Sequence, residues 1–342
     1  MRLDRFITLN LVQPLRSAFG LRSSVLRLPV LMYHSISEDP EPGVAEYYRT
    51  CTSPARFREQ MQWLKDNGYH GVTLKGGLAW LQASEDRAQT PSSIVRPLSS
   101  VPPLSSSRCA AITFDDGLRD FYTSAAPVLK EHGFSATMYL PTAFIGGTRR
   151  CFAPAVGRRP SAAVRSRDCL TWSEVRQLHA DGIEFGSHTA SHPVLYDLSW
   201  SQIESELRAS KSELEAHLGA AVTAFAYPYA FPAQDRAFVR RLGGLLGTTG
   251  YASTVTTTIG RIRPMQSHWL LPRLPVNSDD DDGLLGAKLS GHYDWLAAPQ
   301  ALVKRIKHAV RPARKPDRRT PQTVVPDPPT IASGSPLDRK LP

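Results

Sequence analysis

The chain has 342 residues, 41% of them hydrophobic and 21% charged, proportions that fit one folded, enzyme-sized domain and exclude disorder throughout. The formal net charge of +10 sits at the two ends, with five Lys/Arg against one Asp/Glu in 1–30 and ten against three in 301–342. The body between is close to neutral, so the basic balance does not point to an acidic or nucleic-acid substrate.

A first strand is expected at Leu28–His34 (LPVLMYH), then a helix over Ala55–Asn67, where Phe57, Met61 and Leu64 recur at helical spacing and Gly68 is placed to end it. Strands follow at His70–Leu74 and Cys109–Phe114. Between them, 82–107 is Pro- and Ser-rich without periodicity and reads as a loop insertion. A helix over Tyr122–Glu131 leads to a strand at Ala136–Leu140. The Arg-, Pro- and Gly-rich stretch 146–168 reads as a second insertion, either a rim of a cleft or an excursion from the fold. Thr171–Ala180 is a helix with Ser173 as its N-cap, followed by a strand at Ile183–Gly186. Ser199–Leu218 is a long helix with Ile203, Leu207, Leu214 and Leu218 on its apolar side. Strands at Ala224–Tyr227, Tyr251–Val255 and Leu270–Leu274 complete the set, and a short basic helix at Leu302–Val310 runs into a Pro-rich tail that cannot build a core. Strands alternating with amphipathic helices are the mark of βα units around a parallel sheet. The expected fold is therefore α/β, a closed or nearly closed barrel over 28–298 with a basic leader at 1–27 and a basic tail at 299–342.

Cys51, Cys109, Cys151 and Cys169 lack the close spacing of a zinc ribbon or redox motif and are expected as free thiols, with Cys151 and Cys169 able to pair in an exported protein. Phe6–Val12 is too broken by Thr8 and Asn10 for a cleavable signal, and nothing approaches the roughly 18 apolar residues of a membrane span. These features suggest a cytoplasmic location, or a peripheral one at a membrane. Leu3, Phe6, Leu9 and Leu15 with Arg2, Arg5, Arg16 and Arg22 form either an interfacial helix or, the favoured reading, a frayed leader.

In parallel α/β barrels reactive groups gather at the C-terminal ends of strands. Here Ala110–Phe114 runs into Asp115-Asp116-Gly117, and Ile183–Gly186 into Ser187-His188-Thr189-Ala190-Ser191-His192. Phe225–Tyr227 runs into Pro228-Tyr229, and Val30–Tyr33 into His34. Four polar clusters thus fall on one rim. Two histidines four apart share a face of one helical turn, as two nitrogen ligands of one ion require, and a carboxylate from another strand leaves a position open for water. At a strand end followed by Gly117 the chain can turn, so that one aspartate binds metal while its neighbour takes a proton from that water. Asp-Asp-Gly alone is usually a turn and an isolated HxxxH is a weak signal; their joint appearance at separate strand ends is specific.

The runs Thr113-Phe-Asp-Asp-Gly117, Ser187-His-Thr-Ala-Ser-His192 and Phe225-Ala-Tyr-Pro-Tyr229 resemble the first three signatures of the polysaccharide deacetylases, the NodB-homology domain of carbohydrate esterase family 4. Leu28-Pro-Val-Leu-Met-Tyr-His-Ser-Ile36, Pro127-Val-Leu-Lys130 and Leu271-Pro-Arg273 resemble the branch of that family that processes bacterial exopolysaccharides, and the likeness runs from Leu28 to Val276. The resemblance implies a distorted (β/α) barrel and a divalent metal, most often zinc. It also implies Asp116, His188 and His192 as ligands, Asp115 as general base and the Tyr229 N–H as a donor to the oxyanion. Two departures stand out. The third signature lacks the arginine that pairs with the base in many members, leaving Arg273 to take its place. The closing signature with its leucine and acid histidine is not evident after His268; the order looks permuted as in the exopolysaccharide branch, and that resemblance implies His34, on the N-terminal strand, as the general acid, with a core or supporting histidine as the alternative.

The expected function is removal of N-acetyl groups from an acetylated glycan, releasing acetate and a free amino sugar. An O-acetyl esterase and a catalytically silent carbohydrate-binding protein are the alternatives. The basic ends suggest weak contact with a membrane surface, and no specific nucleic-acid partner is expected.

Overall fold

The computed structural model describes residues 2–19, 26–89, 108–152 and 167–309. Eight strands carry the fold: β1 (Val30–Tyr33), β2 (Tyr69–Val72), β3 (Arg108–Phe114), β4 (Thr137–Leu140), β5 (Glu184–Ser187), β6 (Ala224–Ala226), β7 (Ser253–Ile259) and β8 (Leu271–Pro275). All their pairings are parallel, and because β1 pairs with both β8 and β3, seven of them close a ring in the order β1-β8-β7-β6-β5-β4-β3. The eighth, β2, pairs only with the first half of β3, from Tyr69 opposite Arg108 to Val72 opposite Ala111. Beyond that point β4 takes over at Thr113 and Phe114. The Ser135 N–H, just ahead of β4, donates to the Gly71 carbonyl at 3.0 Å, so β2 is wedged into the lower seam between β3 and β4. The expected α/β barrel is therefore present, closed by seven strands and widened at its base by one more.

Period-two alternation explains what fills it. Along β3, Cys109 and Ala111 belong to the inner core, whereas Ala110, Ile112 and Phe114 pack outward against the helices. Inner positions elsewhere are Val30, Ala226, Val255 and Leu271, with Tyr139 crossing the lumen. Gly186 admits that ring: a Cβ there would lie 2.5 Å from it. Both faces being covered, the strands read as continuous apolar runs rather than alternating ones.

Several local expectations change. Residues 82–89 continue a helix, Leu74–Gln89, whose Leu74, Trp80 and Leu81 are buried, so the loop starts later than composition suggests. The rest of that insertion, 90–107, lies outside the described residues, as do 20–25, 153–166 and the tail from 310. Thr171, not Ser173, caps the helix Trp172–Ala180, because Glu174 returns a hydrogen bond to the cap and completes a capping box. Helices at Arg236–Thr249 and Asp282–Ser290 add to the expected set. The four cysteines are free. Instead of a frayed leader, the chain begins with helix Leu3–Ile7, a π turn at Thr8–Val12 and helix Gln13–Ala18, held by buried Arg2, Asp4 and Thr8. Among the described residues no helix is long and apolar enough to cross a membrane.

Candidate active site

The inner row of β3 (Cys109, Ala111, Thr113) extends one step past the strand to Asp115, which points into the barrel mouth and is 2% exposed. The chain then reverses through Asp116 (φ 73°) and Gly117 (φ 64°). A Cβ on Gly117 would lie 2.8 Å from Leu140, so close packing and backbone angle both call for glycine. The inner row of β5 likewise leads from Gly186 to His188. Beyond His188 the chain does not take the helical turn expected from the four-residue spacing: Thr189 (φ 69°) and His192 (φ 55°) are left-handed, and an irregular loop aims both imidazoles inward. Four of the six non-glycine residues with positive φ among the described residues, Asp116, Thr189, His192 and Tyr229, surround this mouth. Such backbone is costly away from glycine and collects where a structure over-determines a functional geometry.

Glu206 holds the histidine loop. Its carboxylate accepts the N–H groups of Ala190 and Ser191 at 2.9 Å each and the Ser191 hydroxyl at 2.7 Å, while Thr189 Oγ1 accepts the His192 N–H at 3.0 Å. Sequence reasoning missed Glu206. The readable signal was its place on helix Trp200–Leu218, three residues after buried Ile203 and beside buried Leu207, where an acid sits at the edge of the helix's buried face.

His188 Nδ1 lies 2.8 Å from the Ala226 carbonyl. A carbonyl only accepts, so Nδ1 carries the proton and the Nε2 lone pair is left facing the site. That Nε2 is 3.2 Å from His192 Nε2 and 3.7 Å from Asp116 Oδ1, and His192 Nε2 is 3.4 Å from the same oxygen. One ligand atom from each of the three residues therefore lies within 4.8 Å of the others. Burial lowers the pKa of both imidazoles and keeps them neutral. Burial, and then the charge of Asp115, push the Asp116 carboxyl up to about 8. Two lone-pair nitrogens and a carboxylate that resists ionising without a positive neighbour fit a divalent cation, held by three protein groups with a coordination position to spare. The rings of Phe152 and Tyr229 pack edge-on against His192 at 5.2 and 4.6 Å.

Beside this set stands a clamped carboxylate. Arg273, fully buried on β8, donates from both terminal nitrogens to the two oxygens of Asp115, each at 2.7 Å. Its remaining contacts, to Thr256 O at 3.1 Å and Thr113 Oγ1 at 3.3 Å, fix the fork. Burial alone would raise the Asp115 carboxyl, but the guanidinium outweighs it and holds the group well below the usual carboxylate range. His34, just past β1, places Nε2 3.9 Å from Asp115 Oδ2, and burial pushes its ring down to about 4. Tyr229 is left-handed, and among the described residues its N–H has no hydrogen-bond partner. All seven residues singled out from sequence thus meet on one rim. The described ends of the second insertion reach it as well: Cys151–Phe152 and Arg167–Asp168 form a two-stranded hairpin that carries Phe152 against His192.

A parallel barrel whose mouth gathers metal-type donors beside a spare carboxylate is a hydrolase architecture. The polysaccharide deacetylase family model matches residues 105–244, which include both aspartates, both histidines and Tyr229. A Bacillus subtilis (strain 168) protein, YxkH, which carries the polysaccharide deacetylase name, is 29% identical over 261 residues, covering 76% of this chain and 75% of its own. The Streptococcus pyogenes deacetylase PplD, in complex with acetate, shares the fold with a TM-score of 0.57 at 22% identity, over 78% of this chain and 99% of that one. A de-N-acetylase from Aggregatibacter actinomycetemcomitans does so with a TM-score of 0.55 at 17% identity, over 77% and 100%. Over the matched segment the chain is similar to the polysaccharide deacetylase family, and its barrel has the fold of these deacetylases.

Proposed function

We propose that the chain is a metal-dependent N-deacetylase that converts an N-acetylated sugar unit of a polysaccharide to acetate and a free amino sugar, with zinc as its metal. The observation that carries this reading is the convergence of Asp116, His188 and His192 beside the Asp115–Arg273 pair. The flanking motifs shared with the exopolysaccharide-processing branch suggest a polymer of that kind, and the barrel at 28–298 carries the activity between its basic ends.

When bound, a divalent ion supplies Lewis acidity and brings the pKa of a water to about 7. Asp116, His188 and His192 would hold it. Asp115 accepts a proton from the attacking water, and Arg273 keeps that carboxylate ionised and aimed. As the carbon–oxygen bond forms, the Tyr229 N–H donates to the acetyl oxygen as it becomes an oxyanion. The carbon–nitrogen bond then breaks, and His34 hands a proton to the departing nitrogen, a proton that arrives from the Asp115 side. An amine leaves only if protonated, whereas an ester's alcohol depends less on such help, so a histidine beside the base favours amide substrates.

The test is acetate release from N-acetylated chitooligosaccharides and from O-acetylated xylan, each with chelator and after zinc is restored. Release from the amide substrate, abolished by chelator and recovered with zinc, is expected. Release from xylan alone would move the assignment to an esterase, and release from neither would favour a silent binding protein.

A further inference from the structure

The N-terminal helical segment is built inside out. Three of its polar residues face the protein: Arg2 bridges Asp4 at 2.7 Å and Asp280 at 2.9 Å, Asp4 accepts the Tyr293 hydroxyl at 2.6 Å, and Thr8 Oγ1 accepts Trp295 Nε1–H at 3.0 Å. Its large apolar residues, Leu3, Phe6, Leu11, Leu15 and Phe19, point away and are 41 to 73% exposed. The π turn at Thr8–Val12 adds a residue to its turn, so Phe6 and Leu11, five apart, stay in line, and Leu15 and Phe19 follow at steps of four. A helix that packs on a water-soluble protein shows the opposite pattern.

A second apolar row lies beside the same anchorage. Helix Ala297–Ala309 begins directly after Trp295 and Leu296 and is tied to β7 by Gln300 and Lys304, which both donate to the Thr257 carbonyl. It exposes Leu302, Val303 and Ile306, each 49 to 58% accessible, together with Arg305. Contiguous exposed apolar surface of this kind marks an interaction site.

We propose that these two helices seat the protein on the surface of an anionic lipid bilayer. Charge selects this occupant. The apolar rows belong to the two basic ends of the sequence, with Arg5, paired with Asp281, and Arg16 on the first segment and Lys304, Arg305 and Lys307 on the second, while the body between sums to a charge close to neutral. A second copy docked on this face would set cation against cation, whereas acidic headgroups attract it and the acyl boundary accepts the apolar side chains. Thr257 Oγ1 donates at 3.0 Å to the Tyr229 carbonyl, so the lipid-facing helix is two hydrogen bonds from the catalytic rim. The inference stands apart from the deacetylase reading, since none of the docking side chains belongs to the site.

The experiment is co-sedimentation of the full chain with vesicles of phosphatidylcholine alone or mixed with phosphatidylglycerol, at low and high salt. Wild type is expected to bind the anionic vesicles and to be released by salt, a result that needs no variant. The triple change Phe6→Ser, Leu11→Ser, Leu15→Ser should weaken binding at least about tenfold. Arg305→Gln with Lys307→Gln should weaken binding to anionic vesicles by about fivefold per charge and blunt the salt response. Unchanged circular dichroism and unchanged acetate release from a soluble chitooligosaccharide separate a failure here from a failure of the deacetylase reading. Three results would each overturn the proposal: no binding of wild type to anionic vesicles; binding undiminished by the triple change; and a wild-type dimer in sedimentation velocity that the triple change dissolves, which would give this face to a second copy.

Discussion

Two buried ionic clusters flank the same end of the barrel, and they differ in how fully they are satisfied. In the cluster beneath the N-terminal segment, Lys288 Nζ donates to both oxygens of Asp280 and to the Pro275 carbonyl. Asp280 also accepts the Asn277 N–H and Arg2. At the barrel mouth only half of the ionic set is closed in this way. Asp115 is doubly bonded to Arg273, but Asp116 faces imidazole nitrogens held neutral by burial, and His192 Nδ1 and the Tyr229 hydroxyl are buried without a partner among the described residues. Leaving buried polar groups unsatisfied costs stability, so an open set of titratable groups beside metal-type donors points to chemistry, whereas a closed ionic network marks anchoring.

The contrast can be broken most sharply at the mouth. Asp115→Asn is expected to keep its metal yet lose acetate release by about 10³-fold, while His188→Ala loses both. Metal analysis beside a turnover assay separates the two, and near-wild-type release by Asp115→Asn would end the distinction between the clusters. At the anchoring cluster, Lys288→Met leaves buried Asp280 with Arg2 as its remaining cation and should cost about 3 kcal/mol in urea unfolding, with acetate release per folded molecule unchanged. Glu206→Ala tests the link between anchoring and chemistry. It frees the Ala190 and Ser191 amides, and metal affinity should fall about 10- to 100-fold with only a small loss of stability. An unaltered affinity would show that the left-handed loop holds its shape without the clamp.

The strand ends are legible in sequence because alternation is local. Once β3 and β5 are recognised, Asp115 and His188 have to continue an inner row, and Gly117 announces the reversal between Asp116 and the next helix. The histidine loop is legible in composition and not in shape, since a spacing of four fits a helical turn as well as the left-handed path that Glu206 stabilises. Helix Arg236–Thr249 does carry a periodic signal: Phe238, Leu242 and Leu246 recur every four residues and are buried. Helix Leu74–Gln89, with paired glycines and weak periodicity, owes its place to packing, for Gly77 lies so close to Leu28 that a Cβ would meet it at 2.9 Å.

Sequence by itself determined the βα alternation, the metal-type donors at two strand ends and the concentration of positive charge at the termini, because each is written in residues that are neighbours along the chain. Tertiary structure alone decided that Arg273 meets Asp115 across 158 positions, a pairing sequence suggested only through resemblance, that β2 enters the barrel from below, and that the first helix turns its polar side inward. The physical reason is common to all three. Which face of an element is buried, and which charges neutralise each other there, depends on partners brought close only when the ring of strands closes.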